Sequence, residues 1–302
     1  MRATRLFSTQ YSGRFLQSAP LASRKKLLKI DDFKHVIIDD LKRLRDSSQI
    51  VLKTLPQLSS YLNGLREHEF TILTGPSGAG KTTLLSQISL DYSLQGLSTL
   101  WCSFEIKNSR LALTMIEQLT QKSFLSESES DYSDSMIMEA SRTLNGIPLY
   151  FYDCSGSNFD IEEFLFSLQR AVKEDGIKHI IVDNLQFMLS NSWRGSFDKF
   201  DAFEKTITAL RAFCNSCPVH LTLVVHPRKE DDNMPLGLAS ISGTAKATQE
   251  ADNVIILQRL DGKNYIDIKK NRFAGRLGRI PIEFIESTKE IKEIDKNSTA
   301  SS

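Results

Sequence analysis

The segment Gly75-Pro76-Ser77-Gly78-Ala79-Gly80-Lys81-Thr82-Thr83 narrows the folds open to this chain more than any other stretch. It satisfies the pattern G-x-x-x-x-G-K-[ST], with Gly75, Gly80, Lys81 and Thr82 on the fixed positions. Glycines let the backbone curl until successive N–H groups point inward at a phosphate, and the helix that follows adds its positive end. The flanks fit: Phe70-Thr71-Ile72-Leu73 reads as the strand before, and Lys81 to Gln95 as the helix after. Lys81 is expected to reach the β- and γ-phosphates of ATP or another nucleoside triphosphate, and the Thr82 hydroxyl to ligate Mg²⁺.

Downstream, strand and helix keep alternating. The pattern predicts strands at 70–75, 98–105, 178–184, 220–226, 253–260, 264–271 and 279–285, with helices at 81–95, 108–121, 135–145, 159–175 and 198–214. Ile180-Ile181-Val182 and Leu221 to Val225 are nearly continuous apolar runs, as a sheet covered on both faces requires. The fold class expected is α/β, a mostly parallel sheet flanked by helices. Its last three strands, joined by short connections, suit an antiparallel extension. Residues 122–135, rich in Ser, Glu and Asp, read as a solvated loop.

Ahead of this core, Phe33, Val36, Ile37, Leu41 and Leu44 recur at helical spacing and predict an amphipathic helix over 32–46. The first thirty residues differ again. They hold Arg2, Arg5, Arg14, Arg24, Lys25, Lys26 and Lys29, with no acid before Asp31, which is the composition of a mitochondrial or plastid transit peptide or of a basic tail. Losing those seven charges takes the net charge from +1 to −6, so nucleic-acid binding would have to come from a local basic surface. The organisation read from this is a leader at 1–30, a linker helix at 31–50 for contact with its own domain or a neighbouring subunit, an ATPase domain at 51–287 and a disordered tail at 288–302. No run of about 18 apolar residues is present, so no membrane span is expected. Cys214 and Cys217 form a C-x-x-C, but they close a helical run where a redox pair would open one, and no second pair completes a zinc ribbon.

In a doubly wound sheet the carboxyl ends of the strands form the ligand crevice, so polar residues ending apolar strands are candidates. Asp183 ends one such strand, where a carboxylate can hold magnesium beside Thr82. Glu105 ends another, where it can orient or deprotonate an attacking water. His226 ends a third, where an imidazole can sense the γ-phosphate. Further on, residues 259–279 carry seven Lys or Arg against Asp261 and Asp267, a local excess of +5. A guanidinium at such a strand tip can stabilise a transferring phosphoryl group, although a solvated hairpin has the same composition.

These stretches resemble a known family. The phosphate loop, Ser103-Phe104-Glu105-Ile106, Ile181 to Met188, Val225 to Asp232, Gly243 to Asn253 and Lys270-Asn271-Arg272-Phe273 follow the order seen in hexameric replicative helicases of the DnaB type. They are similar above all to the Twinkle-type mitochondrial helicases and their phage primase-helicase relatives. The resemblance covers about residues 50–286. It implies a RecA-like core, with Glu105 as catalytic carboxylate, Asp183 as second magnesium partner and His226 as the link between the γ-phosphate and DNA. Arg272, helped by Lys270, would be an arginine finger entering a neighbour's site in a hexamer or heptamer. Loops at 189–198 and 228–248 would meet single-stranded DNA, with Arg194, Arg228, Lys229 and Lys246 as contacts.

The resemblance further implies 5′-to-3′ movement on single-stranded and forked DNA, replisome partners, and a place in the mitochondrial matrix. Primer synthesis is not expected, because the stretch ahead of the core is too short for a primase fold. Two rivals stay open at this level: a RecA-like ATPase that binds DNA without unwinding it, and a small-molecule kinase.

Overall fold

The computed structural model describes residues 27–47, 50–124, 134–154, 159–190, 199–228, 234–241, 245–260 and 262–294. The chain divides into two units, Met1–Asp46 and Ser47–Ser302. The described part of the first, residues 27–46, holds all but the last residue of the helix α1 (Ile30–Ser47), which covers the amphipathic stretch expected there. Asp31 and Asp32 occupy its first turn and Arg45 its last, signs that complement the helix dipole. The expected leader lies almost wholly outside the described residues.

In the second unit, nine strands form one sheet among the described residues. They are β1 (Phe70–Thr74), β2 (Thr99–Ser103), β3 (Leu149–Phe151), β4 (His179–Asp183), β5 (His220–Val224), β6 (Asn253–Leu260), β7 (Lys263–Asn271), β8 (Gly278–Ile285) and β9 (Glu290–Glu293). Their order is β3-β2-β4-β5-β1-β6-β7-β8-β9. Neighbours from β3 through β6 are parallel, and those from β6 through β9 antiparallel. The helices are α2 (Pro56–Leu62), α3 (Lys81–Leu94), α4 (Asn108–Thr120), α5 (Asp134–Asn145), α6 (Ile161–Glu174), α7 (Leu185–Ser190), α8 (Lys199–Ser216) and α9 (Ala245–Glu250). Among the described residues no helix is long and apolar enough to cross a membrane.

Strands β1, β2, β4 and β5 are buried at every position, which is why their sequences are predominantly apolar. Fully burying each Leu, Ile or Val of this kind contributes about 1.5–3 kcal/mol. Trp101 on β2 is wholly buried, and its indole N–H donates to Ser89 Oγ on α3 at 2.8 Å. That bond ties the strand to the helix behind the phosphate loop.

The stretch 288–302, expected as a tail, needs correction. Residues 290–293 form β9, paired with β8, so the domain continues beyond 287. Ile291 is buried, and the Gln87 side chain of α3 both donates to its carbonyl (3.0 Å) and accepts from its N–H (2.8 Å). The Glu293 carboxylate accepts from Gln57 N and Leu58 N, both at 2.7 Å. It thereby caps α2 from the far end of the domain, satisfying donors the helix cannot pair itself.

The C-x-x-C is structural. Cys214 sits inside α8 with its thiol donating to Glu69 O at 3.1 Å, and burial pushes that thiol up to about 12.

Because β6 runs parallel to β1 while β7 returns beside it, Asn271 faces Asn253 at the amino end of the sheet. Arg272 follows immediately, and its N–H donates to Asp252 O at 2.9 Å. The phosphate loop leaves β1 at the opposite end.

Candidate active site

Gly75 follows β1 with a φ of 157°, where a Cβ would stand 2.6 Å from the Leu257 carbonyl oxygen of the adjacent β6. Only glycine fits a loop pressed this closely to the neighbouring strand. Gly80, with a φ of 89°, then turns the chain into α3. Lys81 is the first residue of that helix and is buried under the loop, its Nζ donating to the carbonyls of Gly75 and Pro76 at 2.9 Å each. An ammonium has three donors, so one remains for a phosphate oxygen.

Thr82 Oγ1 donates to Asp183 Oδ2 at 2.7 Å. Strands β2 and β4 are neighbours with Ser103 opposite Asp183, and Phe104 N donates to Asp183 O at 2.6 Å. That register carries Glu105, the next residue, to the mouth of the loop. His226 arrives from beyond the end of β5, with Nε2 3.5 Å from Glu105 Oε2. Asn184 lies between the two, its amide nitrogen bonded to the Glu105 carboxylate and, at 2.8 Å, to His226 Nε2. Residues 77–83, Glu105 and His226 line one side of a cleft of about 1150 Å³. Its other side is built from the antiparallel strands, including Arg259, Lys263, Glu283 and Phe284.

The electrostatics follow from burial. Burial pushes the Asp183 carboxyl up to about 6, with the Thr82 hydrogen bond pulling the other way. Lys81 is held below its ordinary value by burial, against the attraction of Asp183 and Glu105. His226 is lowered by burial and then by Lys81, with Glu105 opposing. A buried carboxylate whose ionised form is disfavoured, beside a hydroxyl, is a hard-oxygen donor pair that fits Mg²⁺. The loop's inward N–H groups and Lys81 fit the phosphates of a nucleotide.

The residues expected at the strand ends therefore converge: Lys81, Thr82, Glu105, Asp183 and His226 share one site. Arg272 and Lys270 do not join it. Arg272 pairs with Asp252 at 3.0 Å, and Lys270 Nζ donates to Thr248 O at 2.7 Å, both at the amino end of the sheet. Arg228 is exposed two residues after His226, its N–H donating to Ser240 O at 2.7 Å. Lys246 on α9 pairs with Glu250 at 2.9 Å. Arg194 and Lys229 lie outside the described residues.

Sequence reasoning gave no role to Asn184, Gln186, Asp252 or Arg211. Asn184 directly follows Asp183 and was within reach as a strand-end polar residue, whereas Asp252 and Arg211 carry no local signal.

Comparison with known proteins bears on this geometry. The profile described as AAA domain matches residues 43–232. Among solved structures, one ATPase domain superimposes with a TM-score of 0.73 at 14% identity, covering 88% of this chain and 99% of that one. A DnaB-like replicative helicase, in a structure concerned with its interactions with primase, gives 0.70 at 13% identity over 90% of this chain and 68% of that one. A KaiC-like protein from Pyrococcus horikoshii OT3 gives 0.58 at 17% identity, over 81% and 98%. At these identities the likeness is one of fold, the RecA-like α/β core.

Proposed function

The chain belongs to the AAA domain family, and we propose that it is a Mg²⁺-dependent ATP hydrolase that forms a ring and moves 5′ to 3′ along single-stranded DNA as a helicase. One observation carries the hydrolase reading: Lys81, Thr82 with Asp183, Glu105 and His226 meet around one cleft over the phosphate loop. Lys81 and the loop N–H groups hold the β- and γ-phosphates. Thr82 and Asp183 hold Mg²⁺, which supplies neutralisation of phosphate charge when bound. Glu105 orients the attacking water and accepts its proton. His226 stands where it meets the γ-phosphate and hands its position to the loop beginning at Arg228.

The ring reading is supported by where Arg272 sits. Five residues of β1 at ~3.3 Å each put about 15 Å between the two ends of that strand. Arg272, at the far end, serves the phosphate loop of another copy more readily than its own. Resemblance of the strand-end motifs to DnaB-type and Twinkle-type helicases, and likeness of fold to a DnaB-like helicase, favour DNA as the track. The acid-free leader favours a mitochondrial location, in the company of other replication proteins. A fluorescent fusion should enter mitochondria and stay cytosolic once residues 1–30 are removed; nuclear or plastid signal from the intact fusion would refute the location.

The function is tested by measuring ATP turnover with and without single-stranded DNA, on protein of determined oligomeric mass, and strand displacement on a forked duplex. Stimulated turnover with displacement is expected. Turnover that ignores DNA and responds to a phosphate acceptor would make the protein a kinase, and stimulation without displacement would make it a DNA-binding ATPase.

A further inference from the structure

Asn184 is fully buried between β4 and α7, and both polar atoms of its side chain are engaged. Its Oδ1 accepts from Phe187 N at 3.0 Å, the first turn of the helix that follows. That bond fixes which way the amide faces: the NH₂ group must point into the cleft. There its nitrogen meets two acceptors, the Glu105 carboxylate from beyond β2 and, at 2.8 Å, His226 Nε2 from beyond β5. An amide NH₂ carries two hydrogens, so both bonds form together only if Nε2 carries none. The neutral imidazole then holds its hydrogen on Nδ1. The main chain of His226 is held by the same segment, since Gln186 accepts from His226 N at 3.2 Å and donates to its carbonyl at 3.3 Å.

We propose that Asn184 is the positioning residue of this site, its amide locking the Glu105 carboxylate and the His226 imidazole into one orientation and one tautomer. This rests on the reading of Glu105 as the group that activates water. Without Asn184, Glu105 Oε2 and His226 Nε2, 3.5 Å apart, would pair directly. The imidazole would carry its hydrogen on Nε2, and the carboxylate lone pair meant for water would be occupied. With Asn184 in place the two stay separate but coupled, so a movement of His226 reaches Glu105 through a single amide. The strand end that supplies the carboxylate beside Thr82 thus also supplies the link between phosphate sensing and water activation.

The test uses the full chain with Mg²⁺ and ATP. Asn184→Ala should lower turnover about 10- to 100-fold while affinity for a non-hydrolysable ATP analogue stays within about twofold. Placed on Glu105→Gln, the same change should cost less than about twofold more, because the group it orients is already disabled. A merely structural asparagine would cost the same factor in both backgrounds. Ring-labelled histidine NMR, with His226→Ala to assign the signal, should show the Nδ1–H tautomer in the parent and the Nε2–H tautomer in Asn184→Ala. If Asn184→Ala does not fold, Asn184→Asp keeps the shape and the acceptor for Phe187 N but donates nothing, and should show the same losses. Parent-like turnover in the folded variant, an undiminished loss on Glu105→Gln, or an unchanged tautomer would each overturn the proposal. Absence of ATP turnover in the parent would instead overturn the proposed hydrolase, and the tautomer measurement would still decide Asn184.

Discussion

The two ends of the parallel sheet are built around a buried aspartate each, and the two aspartates are treated in opposite ways. At the carboxyl end, Asp183 has one protein donor at close range, the Thr82 hydroxyl, and burial pushes it up to about 6. At the amino end, Asp252 accepts from Phe70 N at 2.9 Å, from Arg211 Nη1 at 2.5 Å and from Arg272 Nη1 at 3.0 Å. The first carboxylate feels Lys81 only at a distance, whereas the second is bonded directly by two guanidinium groups. Spare electrostatic capacity marks the end that waits for a ligand; completed pairing marks the end that holds the fold. Arg272 belongs partly to both descriptions, because its side chain stays 55% exposed while paired. The tip that carries it is braced by Asn271 donating to Tyr61 O at 2.7 Å and by Arg66 stacked 4.1 Å over the Phe273 ring.

The largest effect expected from this contrast is on turnover. Glu105→Gln keeps the shape at the ligand end and removes the proton acceptor, so ATP should bind while hydrolysis falls about 10²-fold or more. Near-normal turnover would move the base elsewhere.

Next comes stability, where matched substitutions should have opposite signs. Asp252→Asn leaves two guanidinium groups without their carboxylate and should destabilise by about 3 kcal/mol, read from the denaturation midpoint. Asp183→Asn removes a carboxylate whose ionised form burial disfavours. Since its folded value is raised, the parent loses stability as pH rises from 3.8 towards 6, and the ligand-free variant at pH 7 should be as stable as the parent or more so. Equal destabilisation by both would break the comparison.

The effect that is smallest at neutral pH concerns His179 and His220, which open β4 and β5 at the amino end. Their Nε2 atoms meet Thr222 Oγ1 at 3.0 Å and Thr71 Oγ1 at 2.9 Å. Burial lowers both, so the unfolded chain binds protons that the folded one refuses. The stability they allow is full above 6.5, the ordinary value, and falls as pH drops below it. Each histidine adds a slope of up to about 1.4 kcal/mol per pH unit. A flat denaturation midpoint between pH 7 and 5 would contradict their neutral burial.

What could be read in the sequence follows the same division. Lys81, Thr82, Glu105, Asp183 and His226 were legible because each sits in a local pattern, a glycine loop or a polar residue closing an apolar run. Asn184 could be seen as a strand-end polar residue, but its role could not, because its bonds join the ends of three strands whose adjacency is a property of the sheet. Asp252 was illegible for a similar reason: its partners Phe70, Arg211 and Arg272 are scattered along the chain. The main strands and helices showed through their periodicity, whereas β3 and β9, with three and four residues, are too short to display any. The charged Glu290-Ile291-Lys292-Glu293 read as tail because only Ile291 turns inward, and its burial depends on Gln87.

The central claim, that the two ends serve each other across a boundary between copies, is tested most directly by mixing. Arg272→Ala should bind ATP yet hydrolyse it about 10²-fold more slowly, and Lys81→Ala should fail in binding. A mixed ring of the two contains boundaries where an intact phosphate loop meets an intact Arg272, so ATP turnover should partly return. No recovery, in mixtures shown by mass to co-assemble, would mean that Arg272 acts only within its own chain through Asp252, and the ring account would fall.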